Sequence, residues 1–363
     1  MITNRRNFIK LGTKGLASLP LLSSLSADLL LFQDNENESE FAKHLKPIGR
    51  ILETEDMYVW GASPVYGDDG KVHLFYSRWP KKYGMGGWIH KSTIAHAVAD
   101  SPESKFKYVS TVFEPRGGDW WDATTCHNPH IKKVDGKYCL FYMGNSNGRT
   151  NTKRIGLATA DSPYGPWKRP DSFLLDASHD PTAWDDHCTT NPSFIKHPNG
   201  EYWLYYKSWN TDEYENYTDP KIRGNRKYGL AIAKNLEGPY VKQKGNPLID
   251  YSGKGDNIQA EDGFFWYQNG KFNALLRDMG FYNHQYGLYL QSENGLDWSA
   301  PKISYYNVAH YIEQPPKPKH LSKYGRFERP QLLINDKGIP THLFVTTQGG
   351  AFESSSPFVF KIK

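Results

Sequence analysis

Cysteine is scarce. The 363 residues contain three, Cys126, Cys139 and Cys188. An odd number without framework spacing argues against a disulfide scaffold. No CxxC or His-rich pattern accompanies them, so no metal site is expected on zinc-type ligands. Long apolar runs are missing too. The longest, near residues 16–25, is too short and too interrupted to span a bilayer. Charge of either sign is spread thin: 44 basic against 39 acidic residues give a net charge of +5. No basic run resembles a nucleic-acid footprint, so nucleic acid is excluded as a partner. The small basic excess still leaves room for an anionic substrate, such as a sulfated or uronic polysaccharide. Apolar residues recurring at a helical period are nearly absent, which excludes a helical bundle.

Aromatic residues are abundant at 15%, with 24 Tyr and 11 Trp, against an apolar fraction of 38%. Such side chains pack by the ring and keep a polar tip in water. They suit a β protein with a wet, aromatic-lined cleft, and pyranose faces stack on the same rings.

The N-terminus carries Asn4-Arg5-Arg6-Asn7-Phe8-Ile9-Lys10, the pattern of a twin-arginine export signal, followed by a modest apolar region. Residues 1–27 are read as that signal and 28–45 as a polar linker. The rest, 46–363, is one domain, and the expected location is periplasmic or extracellular.

A repeat organises that domain. Trp121-Asp122 stands six residues before Asn128-Pro129, and Trp184-Asp185 stands at the same distance before Asn191-Pro192. Each copy runs on through a tight turn, Asp135-Gly136 or Asn199-Gly200, into a second apolar strand. Comparable turns occur at Asp69-Gly70, Asn269-Gly270 and Asp336-Lys337-Gly338. The five turn glycines, Gly70, Gly136, Gly200, Gly270 and Gly338, are 66, 64, 70 and 68 residues apart. Asn-Gly and Asp-Gly between apolar runs are strong hairpin signals, because both central residues need positive φ. Five units of four strands follow. A lone four-stranded sheet cannot bury both faces, whereas radial packing of five can. The expectation is an all-β five-bladed β-propeller with antiparallel blades. Its fifth blade lacks one strand of its own, so residues 48–52 are expected to complete it and close the ring.

In a propeller the openings of the inner strands gather at one mouth of the channel. Here they are Trp60 to Pro64, His127-Asn128-Pro129, Thr190-Asn191-Pro192, Glu261-Asp262-Gly263 and Glu328-Arg329-Pro330. Second strands ending in Arg78, Asn145, Lys207 and Arg277-Asp278 reach toward the same rim. Carboxylates, arginines and aromatics in one cavity suit glycoside hydrolysis, which needs a proton donor and a second carboxylate. Glu261 is the first candidate for the acid, with a strand-end structural carboxylate as the competing reading. Asp262 reads as its structural neighbour. Asp122, Asp185 and Asp186 are candidates for the base, although a repeated Trp-Asp pair also suits a blade-stabilising hydrogen bond. Asp186 has no carboxylate counterpart in the other copy, where Ala123 stands. Trp60, Arg78, His127, Asn191, Arg277, Asp278 and Glu328 are candidate substrate contacts. Arg329 is read either as a clamp or as an internal ion pair with Glu328. His284 is a lesser candidate, and a lone histidine is more often a structural donor.

The hairpins Asp135-Gly-Lys-Tyr-Cys-Leu-Phe-Tyr142 and Asn199-Gly-Glu-Tyr-Trp-Leu-Tyr-Tyr206, with Ala160-Asp-Ser-Pro-Tyr-Gly-Pro-Trp167, give the chain a resemblance. From residue 46 onward it resembles the five-bladed propeller glycoside hydrolases of families 43, 32, 68 and 117. In family 43 the resemblance implies a base Asp on the first blade, a pKa-modulating Asp on another and a Glu acid on a later one. Glu261 matches the acid. Ser63 and Asn191 stand where the two aspartates belong, a departure from the plain mechanism. Trp184-Asp185-Asp186-His187 is similar to a Tyr-Asp-Asp-Arg stretch of family 117, whose members cleave anhydro-galactose from red-algal oligosaccharides. The expected activity is hydrolysis of a terminal glycosidic bond of an oligosaccharide by a monomer. No cofactor is required, and there is room for a structural cation in the central channel. The alternatives are a carbohydrate-binding propeller without catalysis and another sugar chemistry, such as a lyase or a glycosyl transfer.

Overall fold

A computed structural model describes residues 36–216, 219 and 221–363. The expected export signal, 1–27, lies outside the described residues. Among the described residues, nineteen strands form five sheets. Blade 1 runs β2 (Met57–Tyr66), β3 (Val72–Pro80), β4 (Thr93–Ala99) and β5 (Lys107–Phe113). Blade 2 has β6 (Thr125–Val134), β7 (Lys137–Asn145) and β8 (Arg154–Ala160). Blade 3 has β9 (Thr190–Lys196), β10 (Tyr202–Ser208), β11 (Lys227–Ala233) and β12 (Val241–Lys242). Blade 4 has β13 (Gln259–Gln268), β14 (Lys271–Met279), β15 (Gly287–Ser292) and β16 (Lys302–Tyr305). Blade 5 combines β17 (Glu328–Ile334), β18 (Pro340–Gly349) and β19 (Ser354–Ile362) with β1 (Leu45–Arg50), which pairs antiparallel with β19 and closes the ring.

The expected five-bladed propeller is therefore present, and the expected closing strand lies three residues earlier at its start. One blade departs from four strands. In blade 2 the outer strand is reduced to single bridges, Thr159 to Lys168 and Ile155 to Leu175. Pro163, Pro166 and Pro170 lie in that stretch, and proline supplies no N–H to a ladder. Within the segment read as a linker, Ser39 caps a short helix, Glu40–Lys43, and its backbone N–H donates to Ile303 O at 3.0 Å.

The turn glycines do what their spacing suggested. Gly70, Gly136, Gly200, Gly270 and Gly338 all take positive φ, between 74° and 92°, each joining the first and second strand of a blade. The core lies between blades rather than within one. Phe141 of blade 2 stacks on Phe194 of blade 3 at 4.8 Å, and Tyr205 of blade 3 on Phe265 of blade 4 at 4.0 Å. Side chains alternate along a strand, so each blade offers one apolar face to each neighbour.

A cationic, tryptophan-walled cavity at the channel mouth

Five residues share one unusual conformation. Gly61, Asn128, Asn191, Asp262 and Arg329 open the five inner strands, and all lie in the left-handed region, with φ between 48° and 59°. Each marks a bulge in the ladder to the second strand. A bulge leaves one residue unpaired and re-aims its neighbours. The residue just before, Trp60, His127, Thr190, Glu261 or Glu328, and the four side chains of the ring line a single cavity of about 250 Å³. Asn and Asp tolerate the left-handed region through their short polar side chains. Arg329 is the outlier, and Asp262 Oδ2 holds its backbone N–H at 3.2 Å.

The ring is stitched from blade to blade. Asn128 Nδ2 donates to Asn191 Oδ1 at 2.8 Å, and Asn191 Nδ2 donates to Asp262 Oδ1 at 2.9 Å. The walls are aromatic. Trp60 and Trp79 come from blade 1, Trp88 from the excursion after β3, and Trp209 and Tyr214 from the segment after β10.

Three carboxylates face this cavity, and cations surround them. Glu261 pairs with Lys207 Nζ and, at 3.3 Å, with Arg226 Nε. Burial alone would raise its carboxyl, but Lys207, Arg226 and Arg277 outweigh burial and hold it down to about 2. Glu328 receives Arg326 Nε at 2.5 Å, Lys323 Nζ at 3.1 Å and Arg277 Nη1 at 3.2 Å. It too is brought down to about 2 against the opposing effect of burial. Asp262 has both oxygens engaged by Asn191 and the Arg329 N–H, with the Arg329 guanidinium 3.7 Å away. His127 is held well below its ordinary value, first by burial and then by Arg329 and lysines nearby. It is therefore neutral and bonds Ser92 Oγ at 2.8 Å.

Of the residues singled out from sequence, the cavity gathers Trp60, His127, Asn191, Glu261, Arg277, Glu328 and Arg329. Five others lie elsewhere. Asp122 is fully buried in blade 2, where it accepts from Arg116, Arg169 and Tyr142 at 2.6, 2.6 and 2.8 Å. Asp185 takes the equivalent Tyr206 hydroxyl at 2.7 Å and Lys242 at 2.7 Å. The Trp-Asp pair is thus a blade clamp: Asp holds the second-strand tyrosine and the Trp ring packs against it. Asp186 accepts from Thr211 N at 2.7 Å and Asn210 Nδ2 at 3.2 Å, at the start of the short helix Thr211–Glu215. Arg78 turns outward to Tyr108 and Thr111. Asp278 accepts four backbone N–H groups, from Gly280, Phe281, Tyr282 and Asn283, and so fixes the loop after β14. Ser63 lies two residues beyond the ring, bonded to Gln331, and Gly61 fills the ring position in blade 1.

Residues 101–221 match the model of Glycosyl hydrolases family 43. That stretch holds the outer strand of blade 1, blade 2 and the first two strands of blade 3, and so neither Glu261, Asp262 nor Glu328. The chain is 25% identical over 350 residues to an extracellular endo-alpha-(1->5)-L-arabinanase of Bacillus subtilis (strain 168). The match covers 88% of this chain and 65% of that protein, so the chain spans about two thirds of its relative's length. Among solved structures, a family 117 glycoside hydrolase of the marine bacterium Zobellia galactanivorans superposes with a TM-score of 0.63 at 16% identity. It covers 87% of this chain and 90% of its own. A GH43 beta-xylosidase/alpha-arabinofuranosidase from a compost microbial metagenome gives 0.56 at 15%, over 88% and 93%. These superpositions establish the fold, and the chain resembles the five-bladed propeller glycoside hydrolases.

The cavity holds residues that sequence reasoning passed over. Lys153 and Arg226 both line it. They occupy the same repeat position, three residues before the glycine of Gly156-Leu-Ala158 and of Gly229-Leu-Ala231. Aligning the third strands would have exposed them. No group of three or more His, Cys, Asp or Glu side chains suited to a metal ion occurs among the described residues. At the axis Arg329 presents a guanidinium that is 1% exposed, an environment ill-suited to a cation.

Proposed function

We propose that the protein hydrolyses a glycosidic bond of an oligosaccharide in this cavity. The observation that carries the reading is the convergence of Glu261, Asp262 and Glu328, from two adjacent blades, inside a tryptophan-walled pocket. Hydrolysis needs one carboxylate that stays ionised and one that carries a proton as the leaving group departs. Glu328 suits the first role, because Arg277, Lys323 and Arg326 hold its charge. Glu261 suits the second. Its two partners, Lys207 and Arg226, are long side chains that also line the cavity. A sugar that recruits them to its own oxygens and expels water removes two of the three cations that hold Glu261 ionised, leaving Arg277, which Glu328 also engages, and burial then raises its carboxyl. Tryptophan faces supply stacking for the ring, and a closed floor favours attack at a chain end. The cations favour a substrate bearing negative charge. The reading includes export through the Arg5-Arg6 signal, action as a monomer and no cofactor.

A second reading, binding without catalysis, draws on the low carboxyls of Glu261 and Glu328, both ionised in the free protein. Leaving-group dependence separates the two. On aryl glycosides with a poor leaving group, Glu261→Gln should lower kcat by about 10²–10⁴-fold, the usual contribution of a general acid. With a dinitrophenyl leaving group, which needs no proton, the loss should stay within about tenfold. Equal loss on both removes Glu261 as the acid, and no turnover of any glycoside by the wild type removes hydrolysis.

A further inference from the structure

Six cationic side chains line the cavity, Lys153, Lys207, Arg226, Arg277, Lys323 and Arg329, against three carboxylates. Lys207 and Arg226 serve Glu261, Arg277 and Lys323 serve Glu328, and Arg329 approaches Asp262. Lys153 has no counterpart. Its ammonium makes no hydrogen bond or ion pair among the described residues, although the residue is 4% exposed. It lies 4.2 Å from the centre of one Trp209 ring and 5.8 Å from one of Trp88. The backbone fixes it there, with its N–H donating to Thr150 O and its carbonyl accepting from Thr189 N.

We infer that Lys153, between Trp88 and Trp209, is the subsite for an anionic substituent, so that the sugar bound here carries a carboxylate or a sulfate ester. The inference rests on reading the cavity as the carbohydrate site. A buried, unpaired ammonium is costly, and indole faces offset only part of that cost. An arriving anion offsets the rest and draws on the cavity's excess positive charge. A neutral hydroxyl does neither. Burial pushes the Lys153 ammonium down to about 8, so it still carries its charge at neutral pH. Arg226, at the same repeat position in blade 3, is already committed to Glu261, which leaves Lys153, among the described residues, as the cavity cation with no ion pair, beside the aromatic wall.

The test is calorimetric titration of the full chain with matched monosaccharides, which are not turned over. The galactose series comprises galactose, galacturonic acid and galactose 6-sulfate; the glucose series is its counterpart. In at least one series an acidic member should bind about 10–100-fold more tightly than its neutral parent, the range of a charge-assisted hydrogen bond. Whether the uronate or the sulfate gains more identifies the group. Lys153→Met should bring the ratio close to one, and Lys153→Arg should keep it. If Lys153→Met does not fold, Lys153→Gln takes its place, and it too should bring the ratio close to one. No acidic preference in either series, or a preference that survives Lys153→Met, overturns the inference. An acidic preference without hydrolysis of any oligosaccharide overturns the hydrolase reading and leaves this one standing.

Discussion

Glu328 is the most heavily paired carboxylate in the cavity, and replacing it with Gln gives a prediction with a sign in pH. Its carboxyl lies at about 2 in the folded protein, against an ordinary value of 4.5. That gap is worth about 3 kcal/mol, at ~1.4 kcal/mol per pH unit. Because the folded value is depressed, the stabilisation is fully present above about pH 4.5 and is lost as pH falls through about 2. Gln stands in for the protonated acid. The variant should therefore be less stable than the wild type by about 3 kcal/mol at pH 7, and by only about 1 kcal/mol at pH 3. Part of the loss is the unpaired charge left on Arg277, which is buried. Urea unfolding followed by tryptophan fluorescence at pH 7, 5, 4 and 3 reads both quantities. Both curves should fall with acid, because Glu261 titrates in both, and the wild type's should fall more steeply, because it alone also titrates Glu328. A gap that stays constant from pH 7 to pH 3 refutes the reasoning, since it would mean that the pairing with Arg277, Lys323 and Arg326 does not set the proton affinity of Glu328.

Asp122→Asn should destabilise by about 3–5 kcal/mol, because it leaves Arg116 and Arg169 without their buried counter-ion; kcat of the folded fraction, measured below the melting temperature, should not change. Gly61→Ala should cost about 1–2 kcal/mol in urea unfolding, the cost of holding a non-glycine residue at φ +59°. Its added methyl would lie 3.4 Å from Asn128 Oδ1 and 3.5 Å from Arg329 Nε, so steric overlap adds little, and a larger loss would show that the ring packs more tightly than this.

The fold was legible because its signals are local. A hairpin turn needs positive φ within a few residues, and Gly70, Gly136, Gly200, Gly270 and Gly338 advertise that need at an almost constant interval. The inner-strand openings were legible for the same reason, and they placed Trp60, His127, Glu261 and Glu328 at the cavity. The failures were matters of partnership. Asp122 and Asp278 are acids near the right strands, but what each does depends on groups that fold against it: in one case Arg116, six residues upstream, and Arg169, 47 residues downstream, in the other four consecutive backbone amides. Asp186 looked distinctive for lacking a counterpart, and its partner is the start of the short helix Thr211–Glu215, which follows the second strand of its blade. The low carboxyl of Glu261 was equally invisible, since Lys207 comes from the neighbouring blade 54 residues away.

The stitched ring also has a direction. An ionised carboxylate only accepts, so Asp262 forces Asn191 to present its amide nitrogen, and Asn191 in turn forces Asn128 to do the same. Every amide dipole in the chain then points toward Asp262, and hydrogen bonds aligned in this way polarise one another. At the far end Asn128 Oδ1 has no partner, and it lies beside Gly61, where the ring carries no side chain. A hydroxyl donated at that open end in blade 2 would strengthen each bond after it and be felt at the carboxylate in blade 4. The floor of the cavity thus works as a short wire as well as a surface, with blade 1 left blank as its terminal.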